Sequence, residues 1–92
     1  MHIYEIETTD RTMSIFARSY DEAVSLVTGW YLMNDQEMPE SFSVAQWSQV
    51  RIQRHGPTLM RALACEMPGL GIFDGDNWQI FPIDGSAIGE AP

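Results

Sequence analysis

The chain has 92 residues, 45% of them hydrophobic, and thirteen acids against five bases give a formal net charge of −8. This length holds one domain with one core, and the apolar share argues against intrinsic disorder. The charge argues against direct binding of nucleic acid or anionic membrane, which recruit Lys and Arg, and no apolar run approaches the ~20 residues that cross a bilayer.

His2 to Thr8 and Thr12 to Arg18 read as a β-hairpin. Ile3, Tyr4 and Ile6 favour strand, and Met13, Ile15 and Ala17 alternate with Ser14, Phe16 and Arg18. Thr9, Asp10 and Arg11 supply the turn. The N-terminal stretch has neither the basic region nor the long apolar segment of a signal peptide. The single Cys65 cannot close an internal disulfide, so a cytoplasmic location is expected.

Ser19 to Met33, SYDEAVSLVTGWYLM, carries the strongest helix signal. Ser19 and Glu22 have capping-box spacing, and Asp21 and Glu22 place negative charge at the positive end of the helix dipole. Ala23, Leu26, Val27, Trp30 and Tyr31 form one wide apolar face, which places Val27 and Trp30 in the core. Asn34 is a candidate left-handed cap. Gly29 implies backbone packed close beneath the helix.

Asn34 to Ser43 reads as a loop holding Pro39 and the acids Asp35, Glu37 and Glu40. Gln46 to Arg54 fits two patterns: Trp47, Val50 and Ile52 suit a strand, and Val44, Trp47 and Val50 suit a helical stripe. A strand over Gln49 to Arg54 is the expectation. Pro57 suits the first position of a second, shorter helix over Thr58 to Met67, which Pro68 and Gly69 end.

Leu70 to Phe73 and Trp78 to Ile83 read as a second hairpin around Asp74-Gly75-Asp76-Asn77. Asp-Gly is a strong turn signal because Gly accepts positive φ without steric cost. Pro82 marks the last arm as an edge strand. The expected fold is therefore a single α+β domain over residues 1–84. A small antiparallel sheet is covered by the Ser19–Met33 helix, in the order ββα-βαββ. Residues 85–92, rich in Gly and Ala, are expected to form a flexible tail.

No catalytic constellation emerges. Asp74, Asp76 and Asn77 resemble the start of a calcium loop, but the twelfth position holds Gly85 where a bidentate Glu is required. Cys65, beside the core-like Leu63 and Ala64, reads as a small buried residue, with nothing to link it to His2 or His55 as a base. Two His and one Cys, widely spaced, make no zinc motif. No cofactor, metal or enzymatic activity is expected. Arg51, Arg54 and Arg61 read as partners for surplus carboxylates. Of the three Trp residues, Trp47 is the candidate exposed anchor, because it follows the acidic loop in the least determined segment.

The length, the α+β pattern and the carboxylate groups Asp21–Glu22, Asp35–Glu37–Glu40 and Asp74–Asp76 together resemble the phage-encoded anti-CRISPR inhibitors. These are small, often strongly acidic, non-enzymatic proteins, many of which bind a nucleic-acid-reading surface of their target. The resemblance implies stoichiometric inhibition of a basic, nucleic-acid-binding protein such as a CRISPR effector subunit, by a surface that imitates nucleic acid. The partner-binding candidates are Asp35, Glu37, Glu40 and Trp47, then Asp74 and Asp76. The alternative is a phage or mobile-element assembly protein acting as a homodimer or through the edge of the last hairpin.

Overall fold

A computed structural model describes residues 1–83. In chain order the elements are β1 (His2–Glu7), β2 (Thr12–Ala17), α1 (Tyr20–Met33), β3 (Ser43–Gln46), α2 (Gln49–His55), α3 (Pro57–Ala64), β4 (Gly69–Phe73) and β5 (Trp78–Phe81). The strands form one antiparallel sheet in the order β3-β1-β2-β4-β5. The α+β class and the main helix on a small antiparallel sheet are as the sequence implies. The tail over residues 85–92 lies outside the described residues.

Local chemistry sets the first three elements. The β1–β2 turn closes when the Thr8 N–H donates to the Arg11 carbonyl at 2.9 Å. The Thr8 hydroxyl oxygen also accepts from the Arg11 N–H at 3.1 Å. Ser19 caps α1, its Oγ accepting from the Glu22 N–H at 3.1 Å. The Glu22 carboxylate reaches one residue further back than a capping box requires, accepting the Arg18 N–H at 2.7 Å. At the far end Asn34 has an ordinary negative φ, and Asp35, with φ 53°, is the left-handed residue that ends the helix.

The segment after the acidic loop departs from expectation. The strand falls at Ser43–Gln46 and pairs with β1, and Gln49–His55 is a helix rather than the strand expected over Gln49 to Arg54. Ser48 favours this locally, its Oγ accepting the Arg51 N–H at 3.1 Å as a helix cap. Gly56, at φ 112°, then lets the chain turn from α2 straight into α3 with Pro57 at the first helical position. α3 ends at Ala64, three residues before the expected Met67.

The sheet is covered on both faces. Against α1, Tyr4, Ile6, Met13, Ile15 and Ala17 meet Ala23, Leu26, Val27 and Tyr31. On the other face Ile3 and Phe16 meet Trp47, Ile52, Leu59 and Ala62. Phe16, placed by alternation on the side away from the α1 core, is fully buried because α2 and α3 cover that side. Tyr31, 2% exposed, takes the core position beside Val27, whereas Trp30 is half-buried at the margin, contrary to its expected place in the core. Gly29 is buried within α1.

Candidate acidic binding end

Strand register gathers the acidic loops. Thr12 and Ser43 both pair with Glu7, so the β1–β2 turn and the segment leading into β3 lie at one end of the sheet. Gly71 of β4 lies opposite Ser14, and β4 runs antiparallel to β2, so Phe73 and the turn after it emerge at that same end. The Tyr31 hydroxyl meets Thr8 Oγ1 at 3.4 Å, which brings the C-terminal turn of α1 over the same hairpin turn. Asp35, Glu37 and Glu40 leave the helix there, and Asp74 and Asp76 sit on the neighbouring turn. Glu7 and Asp10 join them, and all seven side chains are exposed.

The helix adds to this field. Its C-terminus carries the negative end of the dipole, and its last turn holds no basic residue. Arg11 stands among these acids and offsets one of them, Asp10. Its guanidinium donates twice to the Asp10 carboxylate, at 3.1 and 2.8 Å, and lies 4.7 Å from the Trp30 ring centre and 5.6 Å from that of Tyr31. The hydrogen bond from Arg11, then that from Thr8, holds the Asp10 carboxyl below its usual range.

The two turn acids differ in freedom. Asp74 Oδ1 accepts the N–H groups of Asn77 at 2.8 Å and of Asp76 at 2.9 Å, and these backbone donors lower its pKa. It therefore shapes the turn, and Asp76 is the acid the turn presents. Among the described residues no group of three or more His, Cys, Asp or Glu side chains is placed to hold a metal ion.

Trp47 is not part of this end. Its backbone N–H donates to the Ile3 carbonyl at 2.9 Å, at the opposite end of β1, and the residue is 8% exposed in the cluster under α2 and α3. Arg51 lies 3.7 Å over that ring and pairs with Glu5 at 2.7 Å. The exposed anchor expected at Trp47 is therefore corrected: the ring is a core residue, and its Nε1 has no hydrogen-bond partner among the described residues. Cys65 is also corrected, since it is exposed rather than buried. The imidazoles are engaged elsewhere, His2 with Gln46 at 3.1 Å and His55 with Trp78 at 3.5 Å.

Sequence reasoning missed the apolar surface next to the acids. Leu70, Ile72 and Phe81 share the face that α1 packs on, yet α1 packs against β2 and β3. Ile72 is 47% and Phe81 46% exposed. One signal was present: β4 and β5 carry large apolar residues on both faces, the pattern of strands to be covered twice. No protein-family model, curated protein or solved structure matches the chain.

Proposed function

We propose that the protein acts by stoichiometric binding rather than catalysis, and that the acidic end of its sheet meets a basic surface on a protein that itself handles nucleic acid. The observation that carries this reading is the gathering of Asp35, Glu37, Glu40 and Asp76 at one end, beside Glu7 and Asp10 and the C-terminus of α1. Carboxylates from segments far apart in sequence thereby act as one field. Such a field steers encounter with a cationic partner, and salt screens it over a Debye length of ~8–10 Å. Inhibition of the anti-CRISPR kind, by occupying a nucleic-acid-reading surface, is the biological form this mechanism takes.

The test replaces Asp35, Glu37 and Glu40 by their amides, with melting as the check on folding, and measures association with a basic partner isolated at low salt. Association should slow about tenfold or more between low and physiological salt, and the triple variant should lose most of that dependence. Wild-type affinity in the variant, with no response to salt, would remove the reading. A second reading, assembly through β5, is favoured by one observation: β5 is an edge strand with no charged side chain, flanked by Pro82. Sedimentation of the protein alone distinguishes the two.

A further inference from the structure

The two faces of the sheet are covered unequally. α2 and α3 lie over one, whereas the other carries α1 beside β2 and β3, and among the described residues no element covers its β4–β5 half. A groove of about 300 Å³ runs there, floored by Leu70, Ile72 and Phe81 and walled by Trp30 and Ile83. Through Trp30, Leu70 and Ile72 it continues into a second cleft of about 390 Å³ beside Arg11 and Phe73. This cleft opens at the acidic end, between the Asp74–Asn77 turn and the last turn of α1.

We propose that this open half-face is the docking site for an amphipathic basic helix of a partner protein. The inference rests on the acidic-end reading and deepens it by naming the form of the partner. The dimensions fit: strands spaced about 4.8 Å apart leave room over two of them for one helix of ~10 Å diameter. β5 and β4, of four and five residues, span about 13–17 Å, the length of a helix of roughly 9–11 residues. The apolar floor takes the apolar face of that helix, as in helix-in-groove recognition. Asp35, next in the chain to the Asn34 that lines the groove, and Asp76, on the turn that follows the Phe73 of the cleft, take its Lys and Arg, while Arg11 at the cleft is held by Asp10.

Charge chooses among occupants. A second copy would bring one chain of net charge −8 onto another. Residues 84–92 carry Asp84 and Glu90 and no base, so they gain nothing from an acidic rim. A basic helix gains from both floor and rim.

The probe is a 14-residue Leu/Lys peptide patterned for an amphipathic helix, with its Leu/Glu counterpart as control. Both are titrated into the labelled protein while amide chemical shifts are followed. The Leu/Lys peptide should bind, shift Trp30, Leu70, Ile72 and Phe81, and weaken as salt rises, and the Leu/Glu peptide should not bind. Ile72→Ser with Phe81→Ser should weaken binding about tenfold or more, as loss of central apolar contacts does. Should that variant fold poorly, the shift map of the wild type decides alone: shifts confined to the turns, sparing Leu70 and Ile72, overturn the groove. Binding that survives the groove variant but falls with the amide triple variant overturns this proposal and leaves the acidic-end reading intact. Binding that needs the groove but ignores salt and the amide changes removes the acidic-end reading and this proposal with it. Failure of both peptides to bind overturns it too, as does a wild-type dimer that Ile72→Ser with Phe81→Ser dissociates.

Discussion

Gly71→Ala tests the packing that holds β4 against β2. A Cβ at Gly71 would lie 2.7 Å from Phe16 Cδ1 and closer still to Cε1, with Trp78 Cε3 at 3.3 Å behind. Phe16 is fully buried and meets Trp78 edge to face at 5.6 Å between ring centres, so its ring has no free direction in which to retreat. Two effects oppose one another. Replacing Gly by Ala in a tolerant strand position stabilises by about 0.4–1 kcal/mol through the unfolded chain. Overpacking a closed core costs about 1–3 kcal/mol. The overpacking wins, leaving a net loss of about 1–2 kcal/mol, or roughly 4–16 °C in melting temperature for a domain of this size. The assay is thermal melting of wild type, Gly71→Ala, Phe16→Leu and the double variant. With the ring shortened to Leu, the added methyl should cost little or become stabilising, a coupling of about 1 kcal/mol or more between contacting residues. A Gly71→Ala protein that melts at or above wild type, or strictly additive changes in the double variant, would refute the contact.

Three further outcomes follow from particular side chains. Tyr31→Ala should cost about 3–5 kcal/mol and Trp30→Ala clearly less, since Tyr31 fills the core and Trp30 sits at its margin under Arg11; the order of the two melting temperatures checks this. Folding lowers the Asp74 carboxyl from its ordinary 3.8, so across that range the unfolded chain binds more protons and stability falls as the pH drops through the lowered value. Asp74→Asn keeps the acceptor for both turn N–H groups, so it should retain most of the stability at neutral pH and melt with a flatter profile below pH 4. Cys65, exposed at the end of α3, should react with a thiol reagent in the native protein, with one equivalent released before any denaturant is added.

Much of what depends on near neighbours was legible in the sequence, although the left-handed residue that ends α1 is Asp35 and not Asn34. Ser19 three residues before Glu22 marked the start of α1, and Asp74-Gly75 marked the second hairpin. The region from Val44 to Arg54 was not legible, because its apolar spacing suits either period. What settles it is the pairing of Gln46 with Tyr4, forty-two residues away, and of Arg51 with Glu5. Ser48 three residues before Arg51 was the one local clue, and it lacked the Glu that completes a capping box. Trp47 was misread for the same reason: it follows an acidic loop in sequence, yet β3 carries it the length of the sheet away from that loop.

The acidic end is a property of topology. Asp35, Glu37 and Glu40 lie thirty-four or more residues before Asp74 and Asp76, and composition gives only their sum. Their common address depends on β2 pairing with β4 in antiparallel register, which turns the second hairpin to point the same way as the first, and on α1 running back over β2 to the turn it started away from. A parallel β4 would have sent Asp74 and Asp76 to the end occupied by Arg18 and the start of α1, and the same net charge would have been divided between two poles. The exposed Ile72 and Phe81, with the half-buried Leu70 beside them, arise from the same register, because the pairing that aligns the turns also sets these three on the α1 side, Leu70 at the margin of the α1 core and the other two outside it. Charge and apolar floor are thus coupled by one strand pairing. A change that loosened β4 from β2, such as Gly71→Ala, should weaken the groove and the acidic end together, whereas amide substitutions in the α1–β3 loop should touch the acidic end alone.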